Sequence, residues 1–292
     1  MSKVKTALRT SCYRLKWAWD AFSDHDRLNQ QIQRQLYLDY ISFKNQCVTP
    51  YKKISEAGFR CYSQMEEDGI ALYVLSMIGF ESKKVVELCC GFGAECMATN
   101  LIINHGFEGY LFDGDPWNVE MAKAFFKSKK DCIIAPPKIS RAWVTAENVN
   151  QLLESTGVTG EVDYLSLDVD GNDYWIWNAL DVIKPRLCVF ETHCMIPSDL
   201  SLTIPYDPHF QANVESRFYG TSLAAMVKLG RKKGYRLIGA HRYGFNVFFL
   251  RNDVAPELFP EVTMESVHAC SVAANAQQQE WPRVKNLPWV SV

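Results

Sequence analysis

YRLIGAHRYGFNVFFLR, residues 235–251, carries the strongest constraint on topology in the chain. Two apolar runs, YRLIGA and NVFFLR, flank the turn HRYG. A connection that short cannot cross over a sheet, so the two strands must run antiparallel. Before them lies a helical pattern, TSLAAMVKLGRKKG, that ends on a basic turn and a glycine, as helix C-termini do.

Further upstream the chain alternates. EEDGIALYVLSMIGF reads as a helix, KKVVELCC as a strand entering a glycine turn, AECMATNLIINHG as a helix stopped by Gly106, and GYLFDGD as a strand. PWNVEMAKAFFKSKK places Pro116 at the first helical position. A third strand falls within 132–144, and Thr145 is placed to cap a helix over AENVNQLLES. VDYLSLDV, YWIWNALDVI and RLCVFET continue as strand, helix and strand, followed by a loop with Pro197, Pro205 and Pro208. Such alternation predicts an α/β fold with a doubly wound, mostly parallel sheet. Closure by an antiparallel hairpin matches the Rossmann-like sheet of class I methyltransferases; a nicotinamide-binding fold would instead continue strand, helix, strand.

The 292 residues are 48% apolar and 22% charged with a formal net charge of −2, which gives no electrostatic footprint for nucleic acid. Ten cysteines occur without a CxxC pair, and Cys89, Cys90 and Cys188 fall in apolar runs, the pattern of reduced core thiols in a cytoplasmic protein. No apolar run reaches the roughly 18 residues of a membrane span. Lys3, Lys5, Arg9, Arg14 and Lys16 decorate an amphipathic pattern with Trp17 and Trp19 near the start. Residues 1–25 therefore either lie on an anionic membrane surface, at its inner face, or pack on the domain or a partner chain. A homo-oligomer is compatible with the second option.

In a doubly wound sheet, ligands bind at the carboxyl ends of the strands. The first strand ends in Glu87 and the turn of Gly91 and Gly93, which lets the backbone approach a ligand. The second ends LFDGDP, where Asp113 is placed to accept from both ribose hydroxyls of an adenosine and Asp115 is the alternative or a helix cap. The fourth ends in Asp168, Asp170 and Asp173, three carboxylates within six residues. Asp173 suits a helix N-terminus. Asp168 and Asp170 raise one another's pKa unless a cation compensates, either a divalent ion such as Mg2+ or the sulfonium of a cofactor. The fifth strand ends in Glu191 and His193, which share a face if the strand stays extended there. Asp168, Asp170 and Glu191 are the candidate metal ligands. Asp168, Asp170 and His193 are the candidate catalytic groups, His193 for its ordinary pKa near working pH, with His241 second.

SQMEEDGI, VVELCCGFGAEC, GYLFDGDPWNV, WVTAENVN, VDYLSLDVDGNDYW and FYGTSLAAMVKLGRKKGYRLIGAHRYGFNVFF together resemble the FkbM-type branch of S-adenosylmethionine-dependent O-methyltransferases, a bacterial group associated with polysaccharide gene clusters. The resemblance covers about 60–255 and departs at Cys89, which stands where that group usually has glycine. It implies S-adenosylmethionine as cofactor and a hydroxyl acceptor on a carbohydrate or other polyhydroxylated molecule. It adds Gln64 and Thr145 to Glu87, Gly91, Gly93, Asp113, Asp115 and Asp168 as cofactor-side residues. Tyr206, Asp207, His209 and Tyr219 lie in the loop after the fifth strand, the natural region for an acceptor. The expected organisation is a helical extension over 1–57, a catalytic domain over 58–254, and a tail over 255–292 packing on it. Two other readings stay open: a metal-dependent glycosyltransferase using the Asp-x-Asp pairs of DGD and DVD, and a non-catalytic methyltransferase-like scaffold.

Overall fold

The computed structural model describes residues 26–46 and 53–292. The basic amphipathic segment read over 1–25 lies outside the described residues, and so does the break expected at Pro50.

Helix α1 spans Asp26–Asn45 and α2 spans Glu67–Ile78. They precede β1 (Lys84–Leu88), α3 (Thr99–His105), β2 (Glu108–Asp113), α4 (Pro116–Ser128) and β3 (Lys138–Arg141). Next come α5 (Val149–Thr156), β4 (Gly160–Leu167), α6 (Asp173–Ala179) and β5 (Ile183–Glu191). After β6 (Leu202–Thr203) follow α7 (Leu223–Lys233), β7 (Tyr235–Ala240) and β8 (Asn246–Arg251). The chain closes with α8 (Met264–His268), α9 (Ser271–Gln279), α10 (Trp281–Val284) and β9 (Val290–Ser291).

Seven strands form one sheet in the order β3-β2-β1-β4-β5-β8-β7. β1 to β5 pair in parallel, and β8 pairs antiparallel with both β5 and β7, so β8 alone is reversed. The order turns back between β1 and β4, which places a crevice at their carboxyl ends. Alternation sorts side chains to the two faces, as a two-residue repeat requires. Val85, Leu111, Phe248 and Leu250 join α1 to α4 in one core; Val86, Leu88, Tyr110, Phe112, Val247 and Phe249 join α5, α6 and α7 in the other.

Helix α2 is buried along its whole length, and its first two residues are acids. Its far end is tied to the sheet by a buried pair. Arg186 donates to the Asp163 carboxylate at 2.8 Å and to the Gly79 carbonyl at 2.6 Å, while Asp163 accepts from the Lys83 amide at 2.8 Å. This node fastens the amino-terminal edge of the sheet and leaves the carboxyl edge for ligands.

Several sequence expectations shift. The helix expected from residue 94 starts at Thr99, because Cys96, Met97 and Ala98 are held by Glu87. Asn148, not Thr145, stands at the start of α5, and its Oδ1 accepts from the Thr145 amide at 2.8 Å. β5 starts earlier than read, with Pro185 inside it opposite Val162. The proline-containing loop after β5 includes β6, which pairs with β9 from the end of the chain. The eight described cysteines are free thiols. Among the described residues no helix is long and apolar enough to cross a membrane.

Candidate active site

The turn after β1 is held from two sides. Cys89 and Cys90 both donate their amides to the Phe112 carbonyl at 2.9 Å, and the Gly91 amide donates to Asp113 Oδ2 at 2.8 Å. Gly91 and Gly93 have φ of 55° and 81°; a Cβ on Gly93 would meet the Phe126 ring at 3.0 Å. Cys89 takes φ of 78° without being glycine, a conformation that costs an L-residue about 1–2 kcal/mol. A glycine would take this conformation without cost, and the cysteine is accommodated with strain.

Asp113, buried at the end of β2, also accepts from the Asp115 amide at 2.9 Å and from Asn118 Nδ2 at 3.1 Å. Burial, partly opposed by these bonds, holds its pKa above the usual carboxylate value. Asp115 is turned away from it: its carboxylate caps α4 by accepting from the Trp117 amide at 2.7 Å. Asp113 opens onto a cleft of about 380 Å3 whose walls include Cys89, Gly114, Trp143, Asp170 and Phe210. Among the described residues that line it there is no Lys or Arg.

The roof of this cleft comes from the loop after β5. Trp143 Nε1 donates to the Pro208 carbonyl at 2.7 Å, Asn172 Nδ2 to the Asp207 carbonyl at 2.7 Å, and Trp175 Nε1 to the Ile204 carbonyl at 2.9 Å. Tyr206 donates to Glu147 and accepts from the Ala146 amide at 3.2 Å. Gly171 lets Phe210 lie against the backbone, since a Cβ there would sit 2.5 Å from its ring. Asp207 and His209 are occupied within this roof, the His209 amide donating to Asp207 Oδ1 at 2.9 Å.

The loop of three aspartates after β4 is closed by its own acids. Asp173 accepts from the Val169 and Gly171 amides, both at 2.9 Å. Asp173 is buried and acts as the clasp of the loop, a role its place in the first turn of α6 does not by itself reveal. Asp170 takes the left-handed conformation, φ 54°, which Asp tolerates better than most residues. Asp168, Asp170 and Glu191 each place a carboxylate oxygen so that all three lie within 4.8 Å of one another. Burial first, and then repulsion from the neighbouring aspartates, pushes Asp168 and Glu191 well above the usual carboxylate range.

His193 is not in this cluster. β5 ends at Glu191; the Thr192 amide donates to the Phe245 carbonyl at 2.7 Å and the His193 amide to the Thr221 carbonyl at 2.7 Å, so the chain turns out of the sheet. The His193 ring packs on Tyr219, centroids 4.2 Å apart, and its buried Nε2 has no partner. Burial, and then Arg217, lower its pKa to about 4, so it is neutral near pH 7 and a weaker base than its ordinary pKa implied. Arg217 was not singled out by sequence. It pairs with Glu280 at 3.1 Å and acts on Glu191, His193 and Tyr219 alike. His241, the second candidate base, is buried 3.6 Å from Glu67 Oε1.

Glu87 faces inward. Its carboxylate accepts from the Met97 amide at 3.0 Å, the Ala98 amide and the Cys96 thiol, and burial raises it to about 7 against the pull of these bonds. Asp68 Oδ2 accepts from three successive amides, those of Cys61, Tyr62 and Ser63. Around Tyr164 the acids Glu87, Glu67 and Asp68 converge, and the Tyr164 hydroxyl, Asp68 Oδ1, Asn246 Oδ1 and both His241 ring nitrogens are buried without partners. Gln64 is exposed and Thr145 half-buried, and neither lines the cleft.

A crevice at the β1/β4 reversal, an acid closing β2 and a single reversed strand, β8, set between β5 and the edge strand β7 decide the architecture. The fold is that of the class I methyltransferases. No family model matches the chain, and no curated protein matches it in sequence. Solved structures similar to it include an S-adenosylmethionine-dependent methyltransferase from Clostridium acetobutylicum, at 11% identity over 61% of this chain and 86% of that one, TM-score 0.39. Magnesium protoporphyrin IX methyltransferase from Synechocystis, solved with bound S-adenosylmethionine, has 13% identity over 63% of this chain and 77% of its own, TM-score 0.39. A sarcosine dimethylglycine methyltransferase from Galdieria sulphuraria has 14% identity over 59% and 62%, TM-score 0.40. At this distance no acceptor and no residue role carries over.

The side chains present suit the cofactor that class I methyltransferases use. Asp113 offers acceptors to a ribose, and Trp143 and Phe210 offer aromatic surface in the cleft it opens onto. Near Tyr164 the unpartnered Asp68 Oδ1, with Glu67 and Glu87 close by, suits an ammonium group, whereas a pyrophosphate would meet acids there.

Proposed function

We propose that the chain is an S-adenosylmethionine-dependent O-methyltransferase of the FkbM-type branch, acting on a hydroxyl of a carbohydrate or similar polyhydroxylated acceptor. The observation that carries this reading is the pairing of Asp113, in a cleft lined by no basic described residue, with the Asp168–Asp170–Glu191 cluster next to it.

Asp113 accepts from the ribose hydroxyls, while the backbone around Gly91 and Gly93 passes close to the bound molecule. Glu87 and Asp115 act from behind, fixing the turn and the start of α4, and Gln64 and Thr145 make no direct contact. When bound, S-adenosylmethionine supplies an electrophilic methyl group on a sulfonium. Methyl transfer is an in-line displacement, so the protein contributes chiefly by positioning the acceptor and removing one proton.

Without a metal, Asp168 in its ionised form is the base that takes the acceptor's proton. Asp170 and Glu191 orient the hydroxyl. The same three acids would hold Mg2+, which would lower the pKa of the acceptor hydroxyl. His193, neutral and with a free Nε2, presents a further hydrogen-bonding atom on the Tyr219 side.

The glycosyltransferase reading fits less well, because a nucleotide-sugar brings two phosphates to a cleft without a described basic residue. The test is incubation with methyl-labelled S-adenosylmethionine, Mg2+ and a panel of nucleotide-sugars and lipid-linked glycans. Label on an acceptor hydroxyl supports the proposal. Release of nucleoside diphosphate without methyl transfer selects the glycosyltransferase.

A further inference from the structure

The connection from α4 to β3 carries the two most exposed large apolar side chains among the described residues, Ile134 at 96% and Ile133 at 68%. They do not hang from a slack loop. A turn of 3-10 helix, Lys130–Cys132, precedes them; the Cys132 amide donates to the Lys129 carbonyl at 3.1 Å, and the Cys132 side chain is buried in the core with Phe126. Pro136 and Pro137 stiffen the other side and lead into the edge strand β3. Beside the isoleucines lies a groove of about 480 Å3 with Phe126, Pro137 and Ile139 in its walls.

The rim is cationic. Lys123, Lys127, Lys130 and Lys138 are all exposed, against Asp131 and Glu120. Lys123 pairs with Glu120 and Lys138 with Glu108, but Lys127 and Lys130 form no ion pair among the described residues. An aliphatic tip inside a collar of ammonium groups matches the layering of an anionic bilayer surface. Phosphates lie at the height of the lysines, and the acyl boundary begins a few ångströms deeper. The apolar part is only two side chains wide, well short of the roughly 800 Å2 per partner that a stable protein interface buries.

We propose that this edge of the protein docks on an anionic lipid surface, with Ile133 and Ile134 entering the headgroup–acyl boundary and Lys127 and Lys130 meeting lipid phosphates. The patch precedes the amino-terminal end of β3, whereas the cleft opens at the carboxyl ends of the strands. Docking thus recruits the protein to the surface and leaves the cleft facing water.

The test is co-sedimentation of the full chain with vesicles of phosphatidylcholine alone and of phosphatidylcholine with phosphatidylglycerol. The wild type binds only the anionic vesicles. Lys127→Gln with Lys130→Gln lowers that partition roughly thirty-fold, as two surface cations require, and Ile133→Ser with Ile134→Ser lowers it about ten-fold. Both variants keep residues 1–25, so the loss belongs to this edge. The isoleucine variant keeps the wild-type melting temperature, since neither side chain is packed. Failure of the wild type to bind, or equal binding by both variants, overturns the proposal. A dimer that the isoleucine variant abolishes also overturns it, in favour of a subunit interface.

Discussion

Asp168 and Glu191 follow directly on the Leu167–Phe190 pair of two neighbouring parallel strands, and with Asp170 their carboxylate oxygens come within 4.8 Å of one another. Strand register alone brings them together, from positions 23 residues apart in sequence. The left-handed backbone at Asp170 and the clasp at Asp173 then fold the third acid back onto the pair. Three like charges held this way raise one another's pKa, and a cation removes the repulsion.

Mg2+ is therefore expected to stabilise the protein. At a hundred-fold excess over Kd a specific site contributes about 2.7 kcal/mol, or roughly 5–10 °C in melting temperature for a domain of this size. Asp170→Asn keeps a residue that tolerates the left-handed region and relieves repulsion. It should melt no lower than the wild type without metal, yet show no Mg2+-dependent rise. Thermal melts with and without Mg2+ separate the two effects; an equal rise in both proteins removes Asp170 from the ligand set.

Cys89→Gly should stabilise the protein by roughly 0.5–1 kcal/mol. It releases the cost of φ 78° on an L-residue, offset in part by the larger entropy of glycine in the unfolded chain. Urea denaturation measures the difference. A loss of stability would mean that contacts of the thiol outweigh the backbone strain.

Asp173→Ala leaves the Val169 and Gly171 amides unpaired inside the protein and should cost about 2–4 kcal/mol, with loss of methyl transfer through the disordered acid loop. Asp173→Asn retains one acceptor and should cost about half as much. Denaturation of both variants checks the order; equal costs would show that charge matters here more than the two bonds.

Much of this architecture is legible in the residues. The two runs around HRYG require an antiparallel pair, Pro116 and Asp115 mark the start of α4, and the apolar runs closed by acids mark the strand ends at the crevice. What stays hidden depends on partners distant in sequence. Nothing near Glu87 says that the Met97 and Ala98 amides will turn it inward and shorten the next helix. Nothing near His193 says that the Phe245 and Thr221 carbonyls will take up the Thr192 and His193 amides at the end of β5. The two-residue pairing of β6 with β9 joins Thr203 to Val290, a contact without local signature. Arg217 carries no motif and is visible only through what it faces.

The buried Glu87 gives a pH dependence with a definite sign. Its pKa is raised from 4.5 to about 7 in the folded protein, so the native state binds the extra proton between those values. Its contribution to stability is thus greatest at low pH and is lost as pH rises through about 7. The wild type should lose more stability between pH 5.5 and 8 than Glu87→Gln, which cannot titrate. Histidine effects cancel in that comparison. Parallel denaturation curves at the two pH values decide it, and an equal loss in both proteins would place the Glu87 pKa near its ordinary value.

The most direct test of the methyltransferase assignment is calorimetric titration of the wild type and Asp113→Ala with S-adenosylhomocysteine, with and without Mg2+. Losing the charge-accepting hydrogen bonds to two ribose hydroxyls should cost about 2–4 kcal/mol, a drop in affinity of roughly thirty-fold or more. The expected result is one-to-one binding by the wild type and binding weakened to that degree in the variant. A folded wild type that gives no heat of binding contradicts the assignment, and binding unchanged in Asp113→Ala places the cofactor somewhere other than this cleft.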